Sequence, residues 1–261
     1  MAVFRTGEQL RKETRGGAFS SHTNGLAPGY VQANLVILTS DWAYDFLLFA
    51  QRNPKPCPLL EVGDTGDYLT HVLAEGADVR TDIPLYRVYR NGELVEERKD
   101  IIELWKNDFV YFLIGCSFTF HRALMDSGLT LRHNEEKVNV PMYRTGIACR
   151  PAGRFRQSPM IVSMCPFNPS DAIKAIEITR SFPTVHGSPV HMGDPSVIGI
   201  QDINNPDYGD RVTIRTGEVP VFWACGVTPQ LAALVNKPPL MITHAPGYMF
   251  VGDRKDYEYR I

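Results

Sequence analysis

The chain has 261 residues, of which 44% are hydrophobic and 21% charged, with a net charge of -2 at pH 7. That length buries a substantial core, as one large domain or two small ones. The near-neutral balance removes any general electrostatic reason to expect nucleic acid or an anionic membrane as a partner.

In chain order, residues 7–15 read as a helix, and "SDWAYDFLLFAQRNP" as a second one with Ser40 as N-cap and Pro54 and Pro56 as its stop. "CPLLEV" is a short buried strand, "IPLYRVYRNGELVEER" a hairpin turning at Asn91-Gly92, and "DIIELW" a short helix capped by Asp100. From there, apolar runs lead into capped helices: "DFVYFLIGC" into "SFTFHRALMDSGL", "PMIVSMCPF" into "SDAIKAIEITRSF", and "VPVFWACGV" into "TPQLAALVNK". "VPMYRTGIAC", "PSVIGIQD" and "PLMITHA" add strands. The expected fold is α/β, a three-layer mixed-sheet main domain from 1–134 plus 196–261 with a smaller two-layer α+β domain inserted at 135–195. No solenoid repeat or low-complexity tract is visible.

No apolar run approaches the ~20 residues of a membrane-spanning helix, and the first residues contain no apolar signal core. The five cysteines, at 57, 116, 149, 165 and 225, are odd in number and form no C-x-x-C pair. They fit neither a disulfide framework nor a zinc ribbon, and a reduced cytoplasm is the expected setting. The Rossmann, Walker, zincin and nucleophile-elbow signatures are absent.

Several segments carry residues suited to chemistry. In "GCSFTFHRAL", a helical wheel with Ser117 as N-cap sets Thr119, Arg122 and Asp126 on one polar arc. His121 turns inward on the side of Ser117. Cys116 stands at a strand end, where open α/β sheets place their crevices, beside a helix start that can receive an anion. The same residues also fit a plain capped helix with a core histidine. "FWACGVTPQLAALV" repeats the strand–Cys–helix order, with Thr228 as cap, and two such helix starts together would seat a carboxylate. Residues 137–170 hold five basic residues and no acidic one, a match for an acidic small molecule or for the acidic stretch 194–218. His186, His191 and Asp194 share a Gly/Pro-rich loop and suit acid/base work, metal binding or structural hydrogen bonds. His244 follows a short strand and can close the same crevice or serve the structure alone. Gln32 and Asn34, polar in an apolar run, bind a ligand or satisfy loop backbone.

Seven motifs, "GLAPGYVQANLVIL", "FAQRNPKPCPLLEV", "GCSFTFHRAL", "FPTVHGSPVHMGDPSVIGI", "PDYGD", "GEVPVFWACGVTPQ" and "ITHAPGYMFVGD", together resemble the bacterial putative hydro-lyase family, the D-glutamate cyclase-like family. The resemblance runs from about residue 16 to about residue 253. It implies a two-domain α/β architecture and a lyase converting D-glutamate to 5-oxo-D-proline with loss of water, or acting on a related small carboxylate. A regulatory protein that binds such a carboxylate, or a metal-assisted dehydratase of a hydroxy acid, is the alternative.

The chemistry sets the expected roles. Cyclising glutamate needs a cation or N–H groups for the carboxylates and the oxyanion, an acid, a base, and a folded substrate. Arg150 and the Ser117 turn are assigned to the carboxylates, with Asn34, Gln32, Thr228 and His244 as further substrate contacts. His121 and His191 form the acid/base pair, Asp202 orients one of them or serves as alternate base, and Cys116 is a nucleophile or lines the site. No cofactor or metal ligand is assigned, although a divalent ion is compatible. The expected partner is a small acidic substrate, without nucleic acid or membrane, and a homodimer stays open.

Overall fold

The computed structural model describes residues 4–261. Its elements begin with α1 (Gly7–Arg15), β1 (Tyr30–Thr39), α2 (Ser40–Arg52), β2 (Leu59–Val62), β3 (Tyr86–Arg90) and β4 (Glu93–Arg98). There follow β5 (Phe109–Gly115), α3 (Phe118–Asp126), α4 (Arg132–Glu136), β6 (Met142–Ala148), β7 (Pro159–Phe167) and α5 (Pro169–Arg180). The chain ends with β8 (His191–Met192), β9 (Val219–Ala224), α6 (Thr228–Asn236), β10 (Met241–His244) and β11 (Phe250–Lys255).

β1 is buried from Val31 to Leu38, the pattern of a strand covered on both faces. Its odd residues Val31, Ala33, Leu35 and Ile37 enter one core cluster with Tyr111, Leu113 and Phe250. Its even residues Val36 and Leu38 enter another with Phe46 and Phe49 of α2, as the two-residue period of a strand requires. The large sheet has the order β2-β5-β1-β10-β3-β4, with β11 also beside β1. A second sheet has the order β6-β7-β9-β8. It draws on residues from Met142 to Ala224 and so includes β9, which lies beyond the 135–195 segment.

The α/β class holds, but the main sheet is antiparallel in each ladder rather than mixed. The reason is strand insertion: β5 separates β1 from β2, and β10 separates β1 from β3, so strands that run the same way never touch. β10 and β11 lie in succession along one edge of β1, with Val36 opposite Thr243 and Ala33 opposite Phe250.

Local signals are met in most places. α1 spans residues 7–15 with the Thr6 hydroxyl accepting from the Gln9 N–H. The β3–β4 hairpin turns at Asn91 (φ 51°) and Gly92 (φ 83°), both in the left-handed region that this turn demands. Thr39, not Ser40, holds the N-cap position of α2, and Asn168 caps α5 by accepting from the Asp171 N–H. The strand expected at "PSVIGIQD" is instead a 3-10 turn at Pro195–Ile198, where Asp194 accepts from the Ser196 N–H and Pro195 has no N–H to give a ladder. β11 carries no clear strand signal because Gly252 and three charged residues dilute its apolar start.

Candidate functional site

β5 and β9 end in the same device. Gly115 pairs with Ala33 of β1, and Ala224 pairs with Val162 of β7. In each case the next residue is a cysteine, Cys116 or Cys225, followed by two further residues and a threonine. The Thr119 N–H donates to the Cys116 carbonyl at 3.1 Å, and the Thr228 N–H to the Cys225 carbonyl at 3.0 Å. The Thr119 hydroxyl accepts from the Gln32 N–H at 3.3 Å and donates to the Gln32 carbonyl at 3.4 Å. The Thr228 hydroxyl makes the same pair of bonds with Ile161, at 3.0 and 3.3 Å. Each threonine thus ties a helix start to the strand beside its own.

The two junctions meet at Asn34. This buried amide donates to the Ile114 and Gly115 carbonyls at 3.2 and 2.9 Å. Gly226 lies against it so closely that a Cβ there would overlap the Asn34 side chain. Phe118, the first residue of α3, packs in one cluster with Cys225 and Val227.

Ser117 occupies the N-cap position of α3, but its backbone is helical (φ -58°, ψ -23°) and its hydroxyl makes no capping bond. The Cys116 sulfur does so instead, accepting from the Phe118 N–H at 3.5 Å. The Thr119 and Phe120 N–H groups are bonded to the Cys116 and Ser117 carbonyls, so the first turn of α3 satisfies itself rather than waiting for a carboxylate. Thr228 likewise is the first residue of α6, not its cap, because its hydroxyl is committed to Ile161. Burial pushes the Cys116 thiol up to about 12, only partly opposed by the Phe118 N–H. Burial also raises Cys225, to about 11. Neither thiol is ionised at neutral pH.

Beside α3 lies a cavity of about 240 Å³, walled by the 24–30 loop, Gln32, Phe118, Thr119, His121, Arg122 and Met125. His121 is 6% exposed and its Nδ1 has no hydrogen-bond partner. Burial, with a smaller contribution from His133, holds its pKa well below the usual imidazole value, so the ring is neutral. The His133 ring stands 5.2 Å away, centroid to centroid, with its Nδ1 3.7 Å from the Cys165 sulfur. Arg122 brings positive charge to the cavity rim, its Nε bonded to Asp126 at 2.8 Å. Gln32 also lines the cavity, but its amide is spent on the wall: Nε2 donates to the Thr23 and Leu26 carbonyls and Oε1 accepts from the Thr23 hydroxyl.

The remaining expected residues divide. His244 is buried where β1 passes from β10 to β11, and its Nδ1 accepts the Leu35 N–H at 3.0 Å. It thereby replaces a ladder acceptor that the strand break removes. Gln230 of α6 reaches the same ring at 3.1 Å, and burial lowers His244 to about 4. His191 pairs with Phe222 across β8–β9, three residues short of Cys225, with Nε2 bonded to the Asp194 carbonyl at 2.7 Å. Asp202 is exposed and accepts from the Asn204 N–H, near Tyr143 and Arg144. The Arg150 side chain is exposed, and its backbone is clasped by Asn53 at 2.7 and 2.8 Å. His191, Asp202 and Arg150 do not border the cavity, so the structure does not join them to His121. His186 is buried on the Lys55 carbonyl at 2.9 Å. Among the described residues, no group of three or more His, Cys, Asp or Glu side chains is placed to hold a metal ion.

Sequence reasoning passed over Thr119, Arg122, His133, Cys225 and Gly226 as site residues. The wheel set Thr119 outward, whereas it is 1% exposed and clasps β1. The C-x-x-T spacing common to 116–119 and 225–228 is the signal that would have picked out Thr119 and Cys225.

Residues 110–253 match the family model described as D-glutamate cyclase. A Geobacillus kaustophilus protein named "putative hydro-lyase" is 56% identical over 249 residues, covering 95% of this chain and 94% of that one. A Bacillus licheniformis protein of the same description is 55% identical and covers 97% of both chains. One from Stutzerimonas stutzeri is 56% identical, with 95% and 93% covered. A solved structure of a nitrogen repressor-like protein from Methanococcus jannaschii aligns with 97% of this chain and 99% of its own at TM-score 0.36 and 10% identity, too distant to bear on fold or function. The model match over more than half the chain and the relatives that align along nearly all of it lead to one conclusion: the chain belongs to the D-glutamate cyclase family.

Proposed function

We propose that the protein is a lyase that removes water from a small acidic amino acid, with D-glutamate closing to 5-oxo-D-proline as its reaction. The family supports this reading, and one observation carries it: a neutral, buried histidine, His121, borders a small cavity rimmed by Arg122 and has an Nδ1 without a hydrogen-bond partner.

In this reaction the substrate amine attacks its own side-chain carboxyl carbon, a C–N bond forms, and the carboxyl oxygen leaves as water. Arg122 neutralises a carboxylate at the rim. That carboxylate, once bound, also raises the basicity of His121, since a nearby anion favours the charged imidazolium. His121 then carries two protons in turn from the nitrogen, one before and one after the attack, to the departing carboxylate oxygen, which leaves as water. Direct attack needs no acyl-enzyme, in keeping with un-ionised thiols at the site.

Purified protein incubated with D- or L-glutamate, with and without chelator, is followed by NMR for lactam formation. Lactam appears from D-glutamate, and His121→Ala lowers kcat by ~10²-fold or more. An unchanged rate in that variant removes His121 from the mechanism. Thermal stabilisation by acidic amino acids without turnover identifies a binding protein instead, and chelator-sensitive turnover restored by a divalent ion identifies a metal-assisted dehydratase.

A further inference from the structure

His121 borders the cavity with one side of its ring and a second histidine with the other. Of its two nitrogens, Nδ1 is sealed from solvent without a partner, whereas Nε2 makes no hydrogen bond and is not sealed, which leaves Nε2 to serve the cavity. His133, on α4, is 1% exposed, and its Nε2 is another sealed nitrogen without a partner. The two rings stand 5.2 Å apart, centroid to centroid, tilted by 46°. That is about the separation at which two imidazoles meet nitrogen to nitrogen through one N–H···N bond of ~2.9 Å. The other aromatic rings against His121 belong to Phe118 and Phe120, which offer no acceptor. On its far side, His133 Nδ1 lies 3.7 Å from the sulfur of Cys165 on β7, a thiol that burial pushes up to about 12. The charged groups on the two helices are committed elsewhere: Arg122 holds Asp126, and Arg132 holds Glu135 and Glu218.

We propose that His133 is the positioning residue of this site: its Nε2 accepts the Nδ1–H of His121 and so keeps the cavity-side nitrogen of His121 bare, ready to take a proton. The inference rests on the cyclase reading only for the molecule that gives up that proton. A turn of the His121 ring closes the bond, and one bond satisfies two buried nitrogens that otherwise have none. A neutral imidazole carries a single N–H. With that hydrogen on Nε2, His121 could donate into the cavity but not accept from it, and the first step of the cyclisation needs an acceptor. His133 in turn donates its Nδ1–H to the Cys165 sulfur, a weak acceptor. When His121 gains the substrate proton, its Nδ1–H···Nε2 bond becomes charge-assisted and stronger, which favours the imidazolium. No proton passes to His133, so the inner ring ends as it began.

The test reads the histidine ring nitrogens of the ¹⁵N-labelled full chain by NMR at neutral pH, with no ligand added. The expected result is the Nδ1–H form of His121. His133→Phe, which fills the space without an acceptor, moves that hydrogen to Nε2. It also lowers kcat by about 10–100-fold with KM little changed, and shifts the acidic limb of the kcat–pH profile to lower pH, because the imidazolium loses its partner. His133→Gln, whose carbonyl accepts the same N–H, restores the tautomer and most of the rate. A residue that only fills space would move neither the tautomer nor the limb. The Nε2–H form of His121 in the unmodified protein overturns the proposal and needs no variant to fold, and an unchanged tautomer in His133→Phe overturns it too. Lactam formation by a protein whose His121 carries Nε2–H leaves the cyclase reading standing and removes only this proposal. Absence of lactam removes the cyclase reading, and the tautomer still decides the role of His133.

Discussion

The β5–α3 and β9–α6 junctions share one backbone design and finish differently. α3 turns His121 and Arg122 toward a cavity. α6 is buried from Thr228 to Ala233, and the residue five positions after its cysteine is Gln230, bonded to the His244 ring. The Cys-to-Thr turn sets where a helix starts and how it is tied to the sheet. The side chain one turn further on sets whether that helix borders a cavity or the core.

The largest test of this contrast is acid. His121 is held well below the usual imidazole value and His133, His186 and His244 are at about 4, each chiefly by burial. The unfolded chain therefore binds more protons than the native one below pH 6.5, and stability present above that pH is lost as pH falls toward 4. Each such histidine steepens the loss by about 1.4 kcal/mol per pH unit in that window. Denaturant melts from pH 7 to pH 4 measure it. An NMR titration that puts His121 near 6.5 while His244 stays neutral would show the cavity open to water and break the buried-base reading.

A smaller effect separates the turn residues. Gly226→Ala forces a methyl group into the Asn34 amide and costs about 1–3 kcal/mol. Ser117→Ala, at the matching position, removes no capping bond and inserts no atom, and costs about 1 kcal/mol or less in the same denaturant melts. Equal losses would mean that Asn34 yields, and that the α6 side is looser than the packing indicates.

The smallest contrast lies in the clasps. Thr228→Val and Thr119→Val each leave a strand N–H and carbonyl without the hydroxyl that bridges them, at about 1 kcal/mol apiece. Thr228 should cost more, because its bonds to Ile161 are shorter than those of Thr119 to Gln32. A reversed order, measured by thermal melts, would make α3 the more firmly anchored helix.

Much of this was legible in residue order. The α1 bounds, the Asn91-Gly92 hairpin and the strand–Cys–helix order at 116 and 225 depend on a few neighbouring residues, and His121 turns inward by helical period alone. The candidate site was legible only in part. Cys116, Ser117, Asn34, Gln32 and Thr228 do gather around the two junctions. Ser117 and Thr228 are not capping side chains, however, and Gln32 holds a loop. His191, Asp202 and Arg150 were grouped with His121 by chemical type, and type carries no distance.

The sequence alone determined element positions, the inward histidine and family membership, because caps, turns, periodicity and motif order are local or linear properties. Tertiary structure decided the antiparallel strand order, the meeting of Gly115 and Gly226 at Asn34, and the 5.2 Å approach of His121 to His133. Those depend on which distant apolar faces bury one another and which backbone groups then need partners. That competition is resolved only when the whole chain packs.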